Sequence, residues 1–128
     1  MKSDAGGVVL DAGAFIAAER GDRTMIALIK LFVGSKTSLV TSAGVVAQVW
    51  RGGTGRQVPV AYLLKRTTVV DLTRVVARTL GRMLGQSGAR DAVDAHVAFI
   101  ARERGWPVLT SDPDDLRAID PTLEVERI

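Results

Sequence analysis

The chain has 128 residues, of which 47% are hydrophobic and 24% charged, with a formal net charge of +3 and no cysteine. This length suits one domain with a real core and is too short for two. The lack of cysteine excludes disulfides and thiolate metal sites, and no apolar run approaches the roughly 18–20 residues of a membrane span. Because residues 1–7 lack the basic start and apolar core of a signal peptide, we expect a cytoplasmic protein.

Positive and negative charges are distributed unevenly along the chain. Residues 51–90 hold eight Lys and Arg against one acid, whereas residues 91–128 hold nine acids against four Arg. This distribution is typical of a protein that binds a polyanion through arginines of its basic half and processes it at a metal ion in the acidic region. Solvated, arginine-rich helix faces are the alternative interpretation, and the charges alone leave both open.

Short apolar strands alternate with helices along the whole sequence. Strands are predicted at 7–11, 38–41, 68–70, 108–109 and, with edge character, 123–126. Helices are predicted at 12–19, 23–33, from Ser42 through Trp50, at 56–64, from Thr73 through Leu84, from Asp91 to a stop at Gly105, and at 113–119. This alternation predicts an α/β fold whose short, mainly parallel sheet of about five strands is covered on both faces.

Aspartates stand where two of these strands end. Asp11 follows the first strand and Asp112 follows the fourth, and ligands of parallel sheets bind outside the carboxyl ends of the strands. Asp91 and Asp94 open the late helix three residues apart and so share one face. We therefore expect one acidic pocket. The alternative for Asp11 and Asp112 is a helix N-cap, and the alternative for Asp91 and Asp94 is a first-turn acid that favours the helix dipole.

The chemistry of such a pocket favours a hard divalent cation. Clustered carboxylates repel one another unless a cation neutralises them. Oxygen donors with no cysteine and one histidine suit Mg²⁺ or Mn²⁺ better than Zn²⁺. Such an ion can activate water and offset charge on a phosphodiester. His96 is expected to be a packing or hydrogen-bonding residue, whereas Asp114 and Asp115 are expected to be solvated.

Three segments together resemble the PIN domain, and most closely the VapC-type ribonuclease toxins of bacterial toxin-antitoxin pairs. They are V-V-L-D-A-G-A-F-I-A near the start, D-A-H-V-A-F-I-A-R-E-R-G in the late helix, and P-V-L-T-S-D-P-D-D-L after it. The resemblance implies a single three-layer α/β/α domain over residues 1–128. It also implies an Mg²⁺- or Mn²⁺-dependent ribonuclease, usually a homodimer, that a cognate antitoxin silences.

The resemblance also implies roles for individual residues. Asp11, Asp94 and Asp112 match the family's metal-binding acids, and Asp91 matches an additional acid of some members. Gln48 stands where the family usually carries Glu, a departure that keeps an oxygen ligand and loses a charge. Apart from the resemblance, the basic half predicts that Arg51, Arg56 and Arg82 contact RNA phosphates. Thr110 and Ser111 are expected either to contact the substrate or only to cap.

Two other functional classes remain open at this stage. The neutral Gln48 favours a catalytically weak PIN domain that only binds RNA or a protein partner. A phosphoacceptor domain of receiver type would also place acids at strand ends. Receiver domains carry an acidic pair at the first strand end and a lysine at the last, and the sequence shows neither.

Overall fold

Five short parallel strands form the central sheet in the computed structural model of this protein, which describes residues 6–128. They are β1 (Gly7–Leu10), β2 (Ser38–Ser42), β3 (Thr68–Val70), β4 (Val108–Thr110) and β5 (Val125–Arg127). Their order is β3-β2-β1-β4-β5, and every neighbouring pair is parallel. The predicted α/β class with a parallel five-stranded sheet is confirmed, and β1 lies at its centre between β2 and β4.

Seven α-helices in the described part of the chain complete a three-layer α/β/α arrangement with this sheet. They are α1 (Ala12–Glu19), α2 (Arg23–Gly34), α3 (Ala43–Val49), α4 (Val58–Lys65), α5 (Arg74–Ser87), α6 (Ala92–Arg104) and α7 (Pro113–Ile119). Ser42 and Thr73 accept backbone hydrogen bonds as N-caps, and Gly105 ends α6 in the left-handed region. These three predicted helix ends are confirmed because capping is decided within one turn of sequence.

Several predicted boundaries were wrong by one to three residues. The helix expected to end at Leu84 continues to Ser87, and its left-handed C-cap is Gly88 instead of Gly85. The helix expected through Trp50 ends at Val49, because the buried Gln57 amide donates to the Val49 carbonyl at 2.8 Å. The helix expected at 56–64 is a 3₁₀ turn at Gly55–Gln57 followed by α4. The fifth strand is Val125–Arg127 instead of 123–126, because only these residues pair with β4.

The main core lies between the sheet and the helices that cover it. Val9 on β1 and Val108 on β4 have no exposed surface, as expected for a parallel sheet covered on both faces. A second, smaller core joins α5, α6 and α7 through Leu80, Ala95 and Ile119. Among residues 6–128, no helix combines the length and apolarity needed to cross a bilayer.

Candidate active site

Asp11 stands at the carboxyl end of β1, buried between α1 and β4. Because Leu10 and Leu109 are in register, Asp11 lies beside Thr110. One carboxylate oxygen accepts the Ala12 amide at 2.8 Å and caps α1, and the other accepts the Thr110 hydroxyl at 2.8 Å. Burial raises the pKa of Asp11, and these two hydrogen bonds only partly offset it. Capping and a place in the acidic pocket are therefore compatible at this residue.

Thr110 joins Asp11 to Asp112. Its hydroxyl donates to Asp11 and accepts the backbone amide of Asp112 at 3.0 Å. Asp112 stands at the start of α7, but its side chain makes no capping hydrogen bond there. Its carboxylate is exposed, with the Ser111 hydroxyl 3.5 Å away. The capping alternative is therefore wrong for the Asp112 side chain, which is left available to a ligand.

The start of α6 adds two more acids. One oxygen of Asp91 accepts the amides of Val93 and Asp94, both at 2.9 Å, so Asp91 is the N-cap of α6. Asp94 follows in the first turn and is partly buried. Burial, followed by the charges of Asp91, Asp11, Asp115 and Asp112, raises the pKa of Asp94 to about 7. We call these five carboxylates the acidic cluster.

A buried histidine fixes α6 against the end of β2. His96 is 1% exposed, and its Nδ1 lies 2.8 Å from the hydroxyl of Ser42. The same hydroxyl accepts the Gly44 amide at 3.0 Å and so caps α3. The predicted hydrogen-bonding role of His96 is confirmed, although its Nε2 has no hydrogen-bond partner among the described residues. Through this contact the first turn of α6 keeps its place at the carboxyl edge of the sheet.

Gln48 lies on α3, whose first turn packs closely against α6. A Cβ atom at Gly44 would lie 2.8 Å from Cγ2 of Val93, so this contact requires glycine. Gln48 is four residues after Gly44 and shares its side of the helix. The side chain is exposed and forms no hydrogen bond within residues 6–128. Its entry into the acidic cluster stays a prediction.

The arginines expected to contact RNA lie in different surroundings. Arg51 donates to the carbonyl oxygens of Ala47 and Trp50, at 3.2 and 2.7 Å. Arg56 forms an exposed ion pair with Glu19 at 3.4 Å. Arg82 is exposed on α5 and donates to Thr79 at 3.3 Å. Contacts of these arginines with RNA stay predictions.

The hydroxyls of Thr110 and Ser111, both expected either to contact the substrate or only to cap, also differ in their exposure. Thr110 is fully buried, with its hydroxyl engaged on both sides, and therefore acts on the site by positioning Asp11. Ser111 is exposed and packs against α1, because a Cβ at Gly13 would lie 2.5 Å from its hydroxyl oxygen. Of the two, Ser111 is the hydroxyl that a ligand can reach.

The donor atoms of the acidic cluster fit a hard divalent cation. Asp11, Asp94 and Asp112 offer carboxylate oxygens alone, the donor type that Mg²⁺ and Mn²⁺ prefer. Within residues 6–128, no three His, Cys, Asp or Glu side chains form a ready-made metal-binding group. Mg²⁺ commonly uses one or two carboxylates and keeps several waters, so a group of three is not required. Burial, followed by charge repulsion, raises the pKa of Asp94, and a cation would relieve the repulsion.

Sequence analysis did not identify two features of the site. Asp115 was expected to be solvated, and it is exposed, yet its charge helps to raise the pKa of Asp94. Its spacing of three residues from Asp112 on α7 is a signal that could have placed it beside the cluster. The close packing of Gly13 on Ser111 left no signal in the sequence, because it joins segments about a hundred residues apart.

Comparisons with known proteins agree with this fold. One solved structure of similar fold is VapBC2 from Rickettsia felis, bound to a DNA fragment from their promoter. It has a TM-score of 0.72 and 17% identity, with 94% of this chain and 98% of that chain covered. FitAB bound to an IR36 DNA fragment has a TM-score of 0.63 and 17% identity, with 94% of each chain covered. FitAcB from Neisseria gonorrhoeae has a TM-score of 0.56 and 17% identity, with 92% of this chain and 95% of that chain covered.

Comparisons of the sequence identify one family. None of the curated proteins matches the chain. The family described as PIN domain matches residues 8–120, a range that includes all five acids of the acidic cluster. The match covers most of the sequence and agrees with the resemblance of its three acidic segments. This chain belongs to the PIN-domain family.

Proposed function

We propose that this protein is a VapC-like toxin, an Mg²⁺- or Mn²⁺-dependent endoribonuclease that cleaves RNA phosphodiesters at the acidic cluster. The observation that carries the proposal is the Thr110 hydroxyl, which binds both the Asp11 carboxylate and the Asp112 amide and so brings two acids to one edge of the sheet. Burial and four neighbouring carboxylates also raise the pKa of Asp94 to about 7. Such mutual repulsion is costly to the fold, and clusters of this kind concentrate at functional sites. PIN domains are generally nucleases, which supports a nuclease role for the cluster.

Individual residues contribute to the reaction in distinct ways. Asp11, Asp94 and Asp112 would hold the cation, and Asp91 and Asp115 would add negative charge around them. When bound, the cation supplies an activated water and offsets charge on the phosphodiester. Thr110 holds the Asp11 carboxylate in one orientation through its 2.8 Å hydrogen bond. Asp94 must lose its proton to become a ligand, so its raised pKa makes metal binding sensitive to pH near neutrality.

We further propose a cognate antitoxin partner and a homodimeric state. The chains of similar fold belong to the VapBC2 and FitAB complexes, both bound to DNA. By analogy, the partner of this chain would be a small DNA-binding protein that masks the acidic cluster. Co-purification of the chain with the product of the neighbouring reading frame tests this part. A partner that leaves RNA cleavage unchanged would contradict it.

The nuclease proposal is tested with purified protein and a mixed pool of single-stranded RNA. Cleavage is expected with Mg²⁺ or Mn²⁺ and should stop with a chelator. Asp94→Asn and Asp112→Asn should abolish cleavage, whereas Asp114→Asn, an exposed acid outside the cluster, serves as the matched control. Circular dichroism checks that each variant is folded. Cleavage that survives chelation or the Asp94→Asn change would contradict the proposal.

A catalytically weak PIN domain that binds RNA or protein is the second candidate. The observation that favours it is Gln48, which brings no charge to the position where the family usually carries Glu. If the protein binds the RNA pool and the metal but cleaves nothing, and Gln48→Glu restores cleavage, this candidate describes the natural chain. If Gln48→Glu leaves it inactive as well, the missing carboxylate is not the reason.

A further inference from the structure

Helix α5 turns a face of arginine and glycine away from the core. Its opposite side carries Leu80 and Met83 into the smaller core. At 100° per residue, the five outward residues centre about half a turn from that buried side. All five are exposed: Arg74, Arg78, Gly81, Arg82 and Gly85. We call them the arginine–glycine face.

This face is unlike an ordinary solvated helix surface. The α5 sequence R-V-V-A-R-T-L-G-R-M-L-G-Q-S contains no acid to pair with its three arginines. Glycine is among the poorest residues for a helix interior. A Cβ atom at Gly81 or Gly85 would meet no atom within 4 Å, so packing inside the described chain does not explain either glycine. Small residues between cations instead let an external ligand approach the helix backbone closely.

The arginines of this face are free for such a ligand. Among residues 6–128, Arg74 and Arg78 form no side-chain hydrogen bond and no ion pair, and Arg82 donates only to the Thr79 hydroxyl at 3.3 Å. Arg56, by contrast, is paired with Glu19, and Arg66 lies over the Tyr62 ring at 3.5 Å. Successive arginines on α5 are four residues apart, which is about 6 Å along the helix axis. The face therefore presents an aligned row of unpaired cations.

The row leads toward the acidic cluster. Only residues 88–91 connect α5 to α6, with Gly88 in the left-handed region at the turn. The two helices pack through one small core that includes Met83 of α5 and Ala95 of α6, and Ala95 directly follows Asp94. The end of α5 is thus joined by a short turn to the start of α6, whose N-cap is Asp91 and whose first turn carries Asp94.

We propose that the arginine–glycine face binds the sugar–phosphate backbone of single-stranded RNA and leads the strand to the acidic cluster. Guanidinium groups match phosphate geometry. Val75, 75% exposed, borders the face beside Arg82, but one apolar side chain is not the i, i+3, i+4 and i+7 set of anchors by which a helix binds a protein groove. The assignment of RNA as the polyanion rests on the proposed function. The binding surface itself is independent of cleavage.

The test measures binding without cleavage. Full-length protein carrying Asp94→Asn is titrated, with metal chelated, into a fluorescein-labelled uridine oligonucleotide at several NaCl concentrations. Adding Arg74→Gln, Arg78→Gln and Arg82→Gln should lower the slope of log affinity against log salt by about two units, at roughly 0.7 per lost contact on a single strand. Arg23→Gln, Lys30→Gln and Lys65→Gln remove the same charge from exposed positions elsewhere and should leave the slope nearly unchanged.

A second variant tests the glycines. Gly81→Gln with Gly85→Gln should raise the thermal midpoint, because helix propensity improves, and yet should weaken RNA binding several-fold. An unchanged salt slope in the triple arginine variant, or full RNA affinity in the double glycine variant, would overturn the proposal. A changed oligomeric state with full RNA affinity would assign the face to a protein contact instead. Because the protein used is already inactive, failure of the nuclease proposal leaves each of these outcomes interpretable.

Discussion

The hydroxyl of Thr110 donates a 2.8 Å hydrogen bond to the carboxylate of Asp11, across two neighbouring parallel strands. The same oxygen accepts the amide of Asp112 at 3.0 Å. One buried side chain thus sets the positions of two acids that are about a hundred residues apart in sequence. An arrangement of this kind suits a site in which a cation must find its ligands already in place, because preorganised ligands need little rearrangement on binding.

Thr110→Val should therefore weaken the site as well as the fold. Loss of the hydroxyl leaves a buried carboxylate and a backbone amide without their partner, which costs about 1–3 kcal/mol in the free energy of unfolding. The pKa of Asp11 should rise further, because the lost hydrogen bond had lowered it. Denaturant unfolding and Mn²⁺ titration measure both effects. Thr110→Ser keeps the hydroxyl and should restore Mn²⁺ affinity, and failure of that rescue would refute the positioning role.

The stability of the metal-free protein should depend on the protonation of Asp94. Its pKa is about 7 in the folded state against 3.8 for the free side chain, so the folded state binds the proton more tightly. The stabilisation is complete below pH 3.8 and is lost as the pH rises to about 7. Between pH 5 and pH 8 we expect a loss of about 1–2 kcal/mol, reduced by solvent screening because the side chain is only partly buried.

This pH effect is isolated by comparing the natural protein with Asp94→Asn. The contribution of His96 to the unfolding free energy changes with pH in the opposite direction. Burial lowers the pKa of His96, so its protonation below pH 6.5 favours the unfolded state. The difference in unfolding free energy between the two proteins removes the histidine contribution. It should change across pH 5–8, and a flat difference would show that Asp94 titrates normally.

Gln48→Glu should strengthen metal binding and, if the protein cleaves RNA, should raise the rate at limiting Mg²⁺. Gly44, one turn before it on α3, packs against Val93 beside Asp94, so a carboxylate at position 48 adds charge on that side. We expect roughly tenfold tighter Mn²⁺ binding and no gain in metal-free stability, because repulsion increases. Equal Mn²⁺ affinity in the two proteins would place residue 48 outside the site.

Gly13→Ala should destabilise the fold next to the acidic cluster. The new Cβ would lie 2.5 Å from the Ser111 hydroxyl oxygen and 3.0 Å from the Ser111 backbone nitrogen. Because the backbone must move, we expect a loss of about 1–3 kcal/mol in unfolding free energy. Gly81→Ala is the matched control and should stabilise by about 0.5–1 kcal/mol, since α5 is open there. A neutral effect at Gly13 would show that the loop after β4 adapts freely.

Much of the fold was predictable because it is decided locally. Apolar runs that end on Asp11 and Asp112 indicated parallel strands with acids at their carboxyl ends, and Thr73 and Gly105 marked helix ends within one turn. The boundaries that failed depend on distant groups. Gln57 ends α3 by binding the Val49 carbonyl, and only the pairing with β4 sets the limits of β5. Neither contact leaves a periodic pattern in the sequence.

The identity of the acids was determined by the sequence, and their electrostatic state was decided by the tertiary structure. Asp11, Asp91, Asp94 and Asp112 could each be named from strand ends and helix starts. Only the strand order β3-β2-β1-β4-β5 sets Thr110 beside Asp11, and only packing brings Asp115 close enough to raise the pKa of Asp94. The physical reason is that capping and periodicity act over one or two turns of chain. Burial and charge repulsion, by contrast, depend on how distant segments meet.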